Sequence, residues 1–412
     1  MSVLTLNCGS SSVKYSLYQP ESSAFACRGI VERVGQDGSV LKHRQGGAET
    51  RTERPCSDHA AAVAWVIETL TQGGNALLQN TSALRAVGHR VVHGGERFAR
   101  SARITPEMLA VVEELSSLAP LHNPPNLAGI RAALSLLPGV PQVAVFDTAF
   151  HQSLPPEAYV YPLPYEWYQR WHIRRYGFHG TSHLYVAHRA AALLGRPLSS
   201  LRLVTLHIGN GASAAAVMAG ESVDTTMGFT PLEGLVMGTR CGSVDPAVPL
   251  YVMEREKISA QAMDQILNKK SGLLGITGQF SDRRDIEKAA AAGDERCRLA
   301  QEIEIRTLKK CIGAFAAVME GLDAVVFTAG VGENAPAIRE RVLAGLEFLG
   351  LEIDRARNAE AVGGEYEADI SREDSLVKAL VIPTNEELVI AEDTLAIIED
   401  RFDRQDFAYS FS

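Results

Sequence analysis

Cysteine is scarce and unpatterned: six residues, at positions 8, 27, 56, 241, 297 and 311, form no CxxC pair and no regular framework. That excludes a small disulfide-stapled secreted domain and suits a reducing cytoplasm. Apolar runs are broken by glycine, charge or histidine well before the 18 or so residues a membrane span needs, so no membrane attachment is expected. The start, MSVLTLNCGSSSVKYSLYQ, lacks the basic lead and long apolar core of a secretory signal. Positive charge is also short: 40 Lys and Arg against 49 Asp and Glu give a net charge of -9. This favours solubility and supplies no overall attraction for nucleic acid or anionic lipid, so anionic ligands need local positive sites. HExxH and GxSxG are absent, and Gly9–Lys14 is one residue short of a Walker A loop. Zinc, serine-hydrolase and P-loop chemistry are therefore disfavoured.

What is present is enough chain and enough apolar material for a large folded protein. The 412 residues, 46% hydrophobic and 22% charged, suggest about three average domains or two large lobes. Val3–Leu6 and Val13–Leu17 have a strand pattern and flank a Gly/Ser turn. Two hundred positions later, Val204–Gly209 lines up with Leu4–Gly9, again before a small-residue turn and a strand, Ala214–Met218. Helical periodicity over Ala60–Thr71, Pro106–Leu115, Ser182–Leu194, Ser259–Lys270 and Asp294–Met319 alternates with strands such as Val143–Phe146, Ala324–Thr328 and Val377–Pro383. The pattern predicts an α/β chain of two duplicated lobes around a central cleft. The first lobe is placed at 1–150, completed by about 387–412, and the second at 151–386. A polar tail from Arg401 is expected to fray.

Chemistry-bearing residues gather at the ends of these strands. Asn7 and the Ser10–Ser12 hydroxyls border the first turn, and His207-Ile208-Gly209-Asn210-Gly211 forms the second. A third small-residue segment, Gly330-Val331-Gly332-Glu333-Asn334, follows a strand, and a helix is expected to start near Gly332. Backbones this open can approach phosphate or nucleoside. Arg90 and Arg240 lie among glycines in the two halves and can flank a transferring phosphate. Asp147 follows an apolar strand, where a carboxylate meets a ligand crevice, and the acidic Glu386-Glu387 pair follows another. His179 and His183 stand in FHGTSH, and HNPPN at 122–126 makes a rigid polar turn. An ATP-dependent small-molecule enzyme accounts for this set better than a structural or chaperone-like module.

The segments LNCGSSSVKYSLY, HRVVHGGE, LAPLHNPPN, VFDTAFH, YGFHGTSH, HIGNGASAAAV, MGFTPLEGLVMGTRCGSVDP, FTAGVGEN and TNEE together resemble the acetate kinase family along essentially the whole chain. The resemblance implies two ribonuclease-H-like lobes of the acetate and sugar kinase, Hsp70 and actin superfamily. It also implies a cytoplasmic homodimer that reversibly phosphorylates acetate with ATP, giving acetyl phosphate and ADP, with Mg²⁺ or alternatively Mn²⁺. By residue, it implies that Asn7 and Glu386 organise the metal and that Arg90, Asp147, His179 and Arg240 serve catalysis, Arg90 also contacting substrate. Val92, Leu121, Phe178 and Pro231 would line an acyl pocket. His207, Gly209, Asn210, Gly211, Asp282, Arg283, Arg284, Gly330, Gly332, Glu333 and Asn334 would face the nucleotide. Two departures from the family pattern are Ser243, where an aspartate is usual, and Gln279-Phe280 before Ser281-Asp282. Propionate kinase is the enzyme alternative within the same fold.

Overall fold

In the computed structural model, which describes every residue except 75, 120, 121, 365, 405 and 406, the chain divides into two compact units. The first comprises Met1–Ala149 with Asn385–Ser410, and the second Phe150–Thr384 with Phe411–Ser412.

Unit 1 is built on a mixed sheet. Its strands are β1 (Ser2–Cys8), β2 (Ser12–Gln19), β3 (Ala24–Glu32), β4 (Val40–Gln45), β5 (Ala48–Glu53), β6 (Leu84–Val91), β7 (Ala102–Arg103) and β8 (Gln142–Phe146), in the order β5-β4-β3-β2-β1-β6-β8-β7. β1 is apolar on both faces because both faces are covered. Leu4 and Leu6 pack with Val63 and Val66 of helix His59–Thr71 and Ala133 of helix Asn123–Leu136. Val3, on the other face, packs with Tyr18, Ala391 and Leu395. The last two belong to helix Glu386–Ile398, which starts on an Asn385 cap whose Oδ1 accepts from the Leu388 N–H. That helix lies so close to β6 that a Cβ at Gly88 would stand 2.4 Å from Thr394 Oγ1, so only glycine fits there.

Unit 2 repeats the plan. β9 (Arg202–Ile208), β10 (Ala212–Met218), β11 (Glu221–Thr225), β12 (Ala324–Thr328), β13 (Ala368–Asp369) and β14 (Lys378–Val381) run in the order β11-β10-β9-β12-β14-β13. Strand for strand this matches β3-β2-β1-β6-β8-β7, with the same antiparallel and parallel pairings. Both hairpins turn at the same place, Cys8 to Ser12 and Ile208 to Ala212. The echo between positions 4 and 204 is thus the central strand of each sheet.

One further symmetry concerns the helices that follow the fifth strand of each plan. Helix Gly180–Leu194 comes after β8 yet packs in unit 2, with Val186, Ala187 and Ala190 against Leu203, Ala215 and Val326. Helix Glu386–Ile398 comes after β14 yet packs in unit 1. The end of the chain does not fray as its polarity suggested. Tyr409 donates to Asp393 Oδ1 at 2.8 Å and the Ser410 N–H to Glu392 Oε2 at 2.9 Å. Phe411 is buried beside Tyr185, and its carbonyl accepts from Arg189. Local composition missed these ties because their partners lie far along the chain.

Candidate active site

In unit 1, β1, β6 and β8 are parallel neighbours or flank one another, and each delivers one polar side chain at its carboxyl end. Asn7 and Arg90 stand one residue before the ends of β1 and β6, and Asp147 follows β8, with the Asp147 N–H donating to the Val91 carbonyl at 3.0 Å. Arg90 Nε donates to Asp147 Oδ1 at 2.8 Å and its Nη2 to Asp147 Oδ2, a two-point clamp. Arg90 Nη1 also donates to Asn7 Oδ1 at 3.3 Å. Burial alone would lower the arginine's pKa, but the charge and hydrogen bonds of Asp147 raise it instead. The guanidinium is therefore permanently charged and its direction is fixed.

The loop after Arg90 is held from behind by the HNPPN segment, which is not a free-standing turn as expected but the first turn of helix Asn123–Leu136, its prolines tolerated where no intrahelical N–H is needed. Asn126 Oδ1 accepts from the Val92 N–H at 3.0 Å while its Nδ2 donates to the Cys8 carbonyl at 2.7 Å. Asn123 makes a reciprocal pair with His93, accepting from its N–H and donating to its carbonyl. Buried amides that bond backbone on both sides set the height of Val92, whose side chain is buried. Leu121 lies outside the described residues.

Glu386 begins the helix that covers this sheet and shares a small cavity with Asn7, Lys14 and Glu387. Its carboxyl pKa is raised, first by desolvation and then by the negative charges of Asp147 and Glu387, against the opposing pull of Arg90 and Lys14. An amide oxygen and a carboxylate crowded by like charges are hard donors that suit Mg²⁺, which takes one or two protein ligands and completes its shell with water and phosphate oxygens. The residues present fit that ion.

In unit 2 the corresponding positions carry a different set. His207, equivalent in the repeat to Asn7, stacks on His179 with ring centroids 4.1 Å apart. His179 precedes helix Gly180–Leu194 in the left-handed region, at φ 56°, a conformation that costs a non-glycine residue on the order of 1 kcal/mol or more. Its carbonyl accepts from the His183 N–H, and its Nδ1 is hydrogen-bonded to Ser213 Oγ at 2.9 Å. A Cβ placed on Gly211 would lie 3.5 Å from the Arg240 guanidinium and 3.6 Å from His179 Cε1, so turn, arginine and imidazole converge.

Arg240 differs from Arg90 in its partners. Its Nη1 donates to the Pro231 carbonyl at 2.8 Å, and among the described residues no carboxylate pairs with it. Burial lowers its pKa with no counter-charge to restore it. The loop that carries it is closed by Ser243, whose Oγ accepts from the Gly234 N–H while its own N–H donates to the Gly234 carbonyl. Gly234 has φ 107°, and a Cβ there would meet the Thr226 carbonyl oxygen at 2.5 Å. The serine at this departure from the family pattern thus acts as a loop tie. Phe178 is buried and its carbonyl accepts from His151 Nε2.

The remaining expected nucleotide-side residues also lie in unit 2. Arg283 donates to the Gly209 carbonyl at 2.9 Å and is paired with the buried Glu304, an acid that sequence reasoning did not single out. Asp282 caps helix Arg283–Ala291 and is held to about 2, first by the hydrogen bond from Arg284. Gly238 donates its N–H to the Asn210 carbonyl. The third segment differs from expectation: helix Ala329–Asn334 starts at Ala329, so Gly332 lies inside it and its small size serves packing against Phe327. Glu333 accepts from the Thr384 N–H at 3.1 Å, and Asn334 ties the Gly330 carbonyl to the Gly363 N–H. A cavity of about 400 Å³ adjoins this region, lined by Arg283, Ile286, Glu287, Ile338 and Arg341 among others.

Missed by sequence reasoning were Ser213, Thr205 and Ser182, all partners of the histidines, and Thr384, whose hydroxyl bonds Ser182. Only the four-residue spacing of His179 and His183, which puts both on one face of a helical turn, hinted at a shared partner.

The family model for the acetokinase family matches residues 2–392. An acetate kinase of Geobacter metallireducens is 54% identical over 414 aligned residues, spanning 100% of this chain and 98% of the relative. One from Thermotoga maritima is 56% identical over 97% of this chain and 99% of its own length. Among solved structures, Porphyromonas gingivalis acetate kinase superposes with a TM-score of 0.92 at 46% identity, covering 96% of this chain and 99% of that one. A propionate kinase from Francisella tularensis follows at 0.89 and 38%, covering 96% and 99%. With its two repeated mixed sheets and these matches along nearly its whole length, the chain belongs to the acetokinase family.

Proposed function

We propose that this protein is an acetate kinase, transferring the γ-phosphoryl group of ATP to acetate and running in reverse from acetyl phosphate and ADP. The observation that carries the reading is Arg240, a half-buried guanidinium that no carboxylate pairs among the described residues, converging with His179 and the open Gly211 turn. A desolvated positive charge beside bare backbone is a site for a phosphoryl group, whose charge is spread over three oxygens in transfer. Acetate is favoured over propionate by the identity of 54% to the Geobacter metallireducens acetate kinase and 46% to that of Porphyromonas gingivalis, against 38% to the Francisella tularensis propionate kinase.

Acetate is already a nucleophile at neutral pH, so no base is required. One carboxylate oxygen attacks the γ-phosphorus roughly in line, the new O–P bond forms, and the bond to the β-phosphate bridging oxygen breaks with ADP as leaving group. No proton changes hands, and no covalent enzyme intermediate is needed. Arg90, aimed by Asp147 and Asn7, holds the carboxylate and a phosphoryl oxygen; Arg240 and His179 stabilise charge on the transferring oxygens. Asn7 and Glu386 would hold Mg²⁺, which when bound neutralises nucleotide phosphate charge.

Val92 in unit 1 and Phe178 and Pro231 in unit 2 are assigned to the acyl group of the substrate. Unit 2 binds the nucleotide: His207 and Gly209–Gly211 meet the phosphates, Asp282–Arg284 and Gly330–Asn334 the adenosine side, and the cavity beside Arg283 gives a purine room. The protein works in the cytoplasm, where six unpaired cysteines are at home, and as a homodimer.

Initial rates with acetate, propionate and butyrate, each with ATP and Mg²⁺, test the assignment, followed by the reverse reaction from acetyl phosphate and ADP. Acetate should give the highest kcat/KM. No carboxylate-dependent ADP formation would sink it.

A further inference from the structure

His179 is the end of a chain of buried hydrogen bonds. Its Nδ1 meets Ser213 Oγ at 2.9 Å, Ser213 Oγ meets His183 Nε2 at 2.8 Å, and His183 Nδ1 meets Thr205 Oγ1 at 2.7 Å. Ser213, His183 and Thr205 have no exposed surface. The last link runs to backbone, Thr205 Oγ1 donating to the Ala215 carbonyl at 3.5 Å. The equivalent threonine of the repeat, Thr5, makes the same bond to the Ser16 carbonyl at 3.4 Å.

The direction of each proton follows from its neighbour. The Ala215 carbonyl can only accept, so the Thr205 hydroxyl hydrogen is assigned to it and Thr205 accepts from His183 Nδ1–H. His183 is neutral, because burial and then the neighbouring His151 and His207 push its pKa well down. A neutral imidazole with a proton on Nδ1 has a lone pair on Nε2, which takes the Ser213 hydroxyl hydrogen. Ser213 Oγ is then left to accept from His179 Nδ1–H. The same order of donors serves neutral and protonated His179 alike, so no charge need enter the buried part of the chain.

We propose that Ser213, His183 and Thr205 are positioning residues that keep the Nδ1 proton of His179 in place and make Nε2 the atom at which this histidine gains or loses its proton beside the phosphoryl group. The inference rests on the role given to His179 above. With Nδ1–H fixed, protonation gives an imidazolium whose Nε2–H donates to a phosphoryl oxygen, and the Nδ1–H to Ser213 bond strengthens as the ring becomes charged. Among the described residues, the charged or titratable groups facing the ring include His207 from β9, His183 from the helix that follows it, and Arg240 beside Gly211.

The test uses full-length protein with ¹⁵N-labelled histidine, whose ring-nitrogen shifts report which nitrogen carries the proton. In the unmodified protein neutral His179 should be the Nδ1–H tautomer. Ser213→Ala should give a mixture of tautomers and lower kcat about 10- to 100-fold, the usual size when the orienting partner of a functional histidine is lost. KM for acetate should stay within about twofold, and the basic limb of the kcat–pH profile should move to lower pH, since the imidazolium has lost an acceptor. Thr205→Val should act in the same direction but less, whereas Thr205→Ser, which keeps the hydroxyl, should match the parent in tautomer and rate. A neutral His179 protonated on Nε2 in the parent, or a tautomer unmoved by Ser213→Ala, overturns the proposal. A tautomer that moves as expected with kcat unchanged upholds the relay and instead removes His179 from the chemistry.

Discussion

Arg90 and Arg240 are the same side chain in two electrostatic situations. Arg90 is clamped by a carboxylate that is 1% exposed, so its charge is balanced and its geometry fixed before any ligand arrives. Arg240 is held by the Pro231 carbonyl, a dipole rather than a counter-ion. A balanced arginine directs; an unbalanced one attracts. The difference separates positioning of the acceptor from stabilisation of the transferring group, and it can be broken experimentally.

Arg240→Ala should cost the most activity, lowering kcat about 10³-fold or more, because it removes a preorganised charge aimed at the transition state. Its melting temperature should barely change, since no charged partner is left behind. Near-normal turnover in steady-state assays would erase the contrast. Arg90→Ala should instead show its largest effect in stability. It strands Asp147, and removing one member of a buried pair costs about 3 to 5 kcal/mol. A thermal melt of the two variants side by side should place Arg90→Ala well below Arg240→Ala; equal melts would mean that Asp147 needs no partner.

Asp393 supplies the reverse of Arg240, a buried carboxyl bonded to the hydroxyls of Ser101 and Tyr409 and, among the described residues, to no cation, with a pKa pushed up to about 6 by burial and by Glu392. Its folded pKa lies above the unfolded value, so the folded state binds the extra proton between about pH 4 and 6. Its contribution is present below that window and is lost as pH rises through it, by about 2 to 3 kcal/mol. Asp393→Asn should flatten this part of a stability–pH curve; an unchanged slope would show that Asp393 is not the group. Smallest of all, Val92→Ala should raise the propionate-to-acetate ratio of kcat/KM about tenfold, the worth of roughly one methylene. An unaltered ratio would remove Val92 from contact with the acyl group.

Much of the fold was legible because its signals are local. The apolar strands and the five amphipathic helices fall within one or two residues of expectation, and the hairpin echo at 4 and 204 gave the duplication away. β4 and β5 gave no such signal, since β5 (AETRTE) is exposed at every position and lives on its ladder with β4 rather than on burial. In the site, Arg90, Asp147, Asn7 and Glu386 stood out as polar residues at strand ends. The clamp between the first two did not, because it joins residues 57 positions apart. Ser213 was hidden in an alanine-rich strand, where a hydroxyl reads as filler until the histidines on either side are placed.

The helix that closes unit 1 is made after β14. Val3, Val143 and Val145 lack their cover until Ile390, Ala391 and Leu395 have been synthesised. On the ribosome, the first strand of the protein must therefore wait for almost the whole chain. The N-terminal unit can only mature once that helix has emerged, while the unit encoded later already holds its own covering helix before its first strand is made. Translation order and folding order run in opposite senses here.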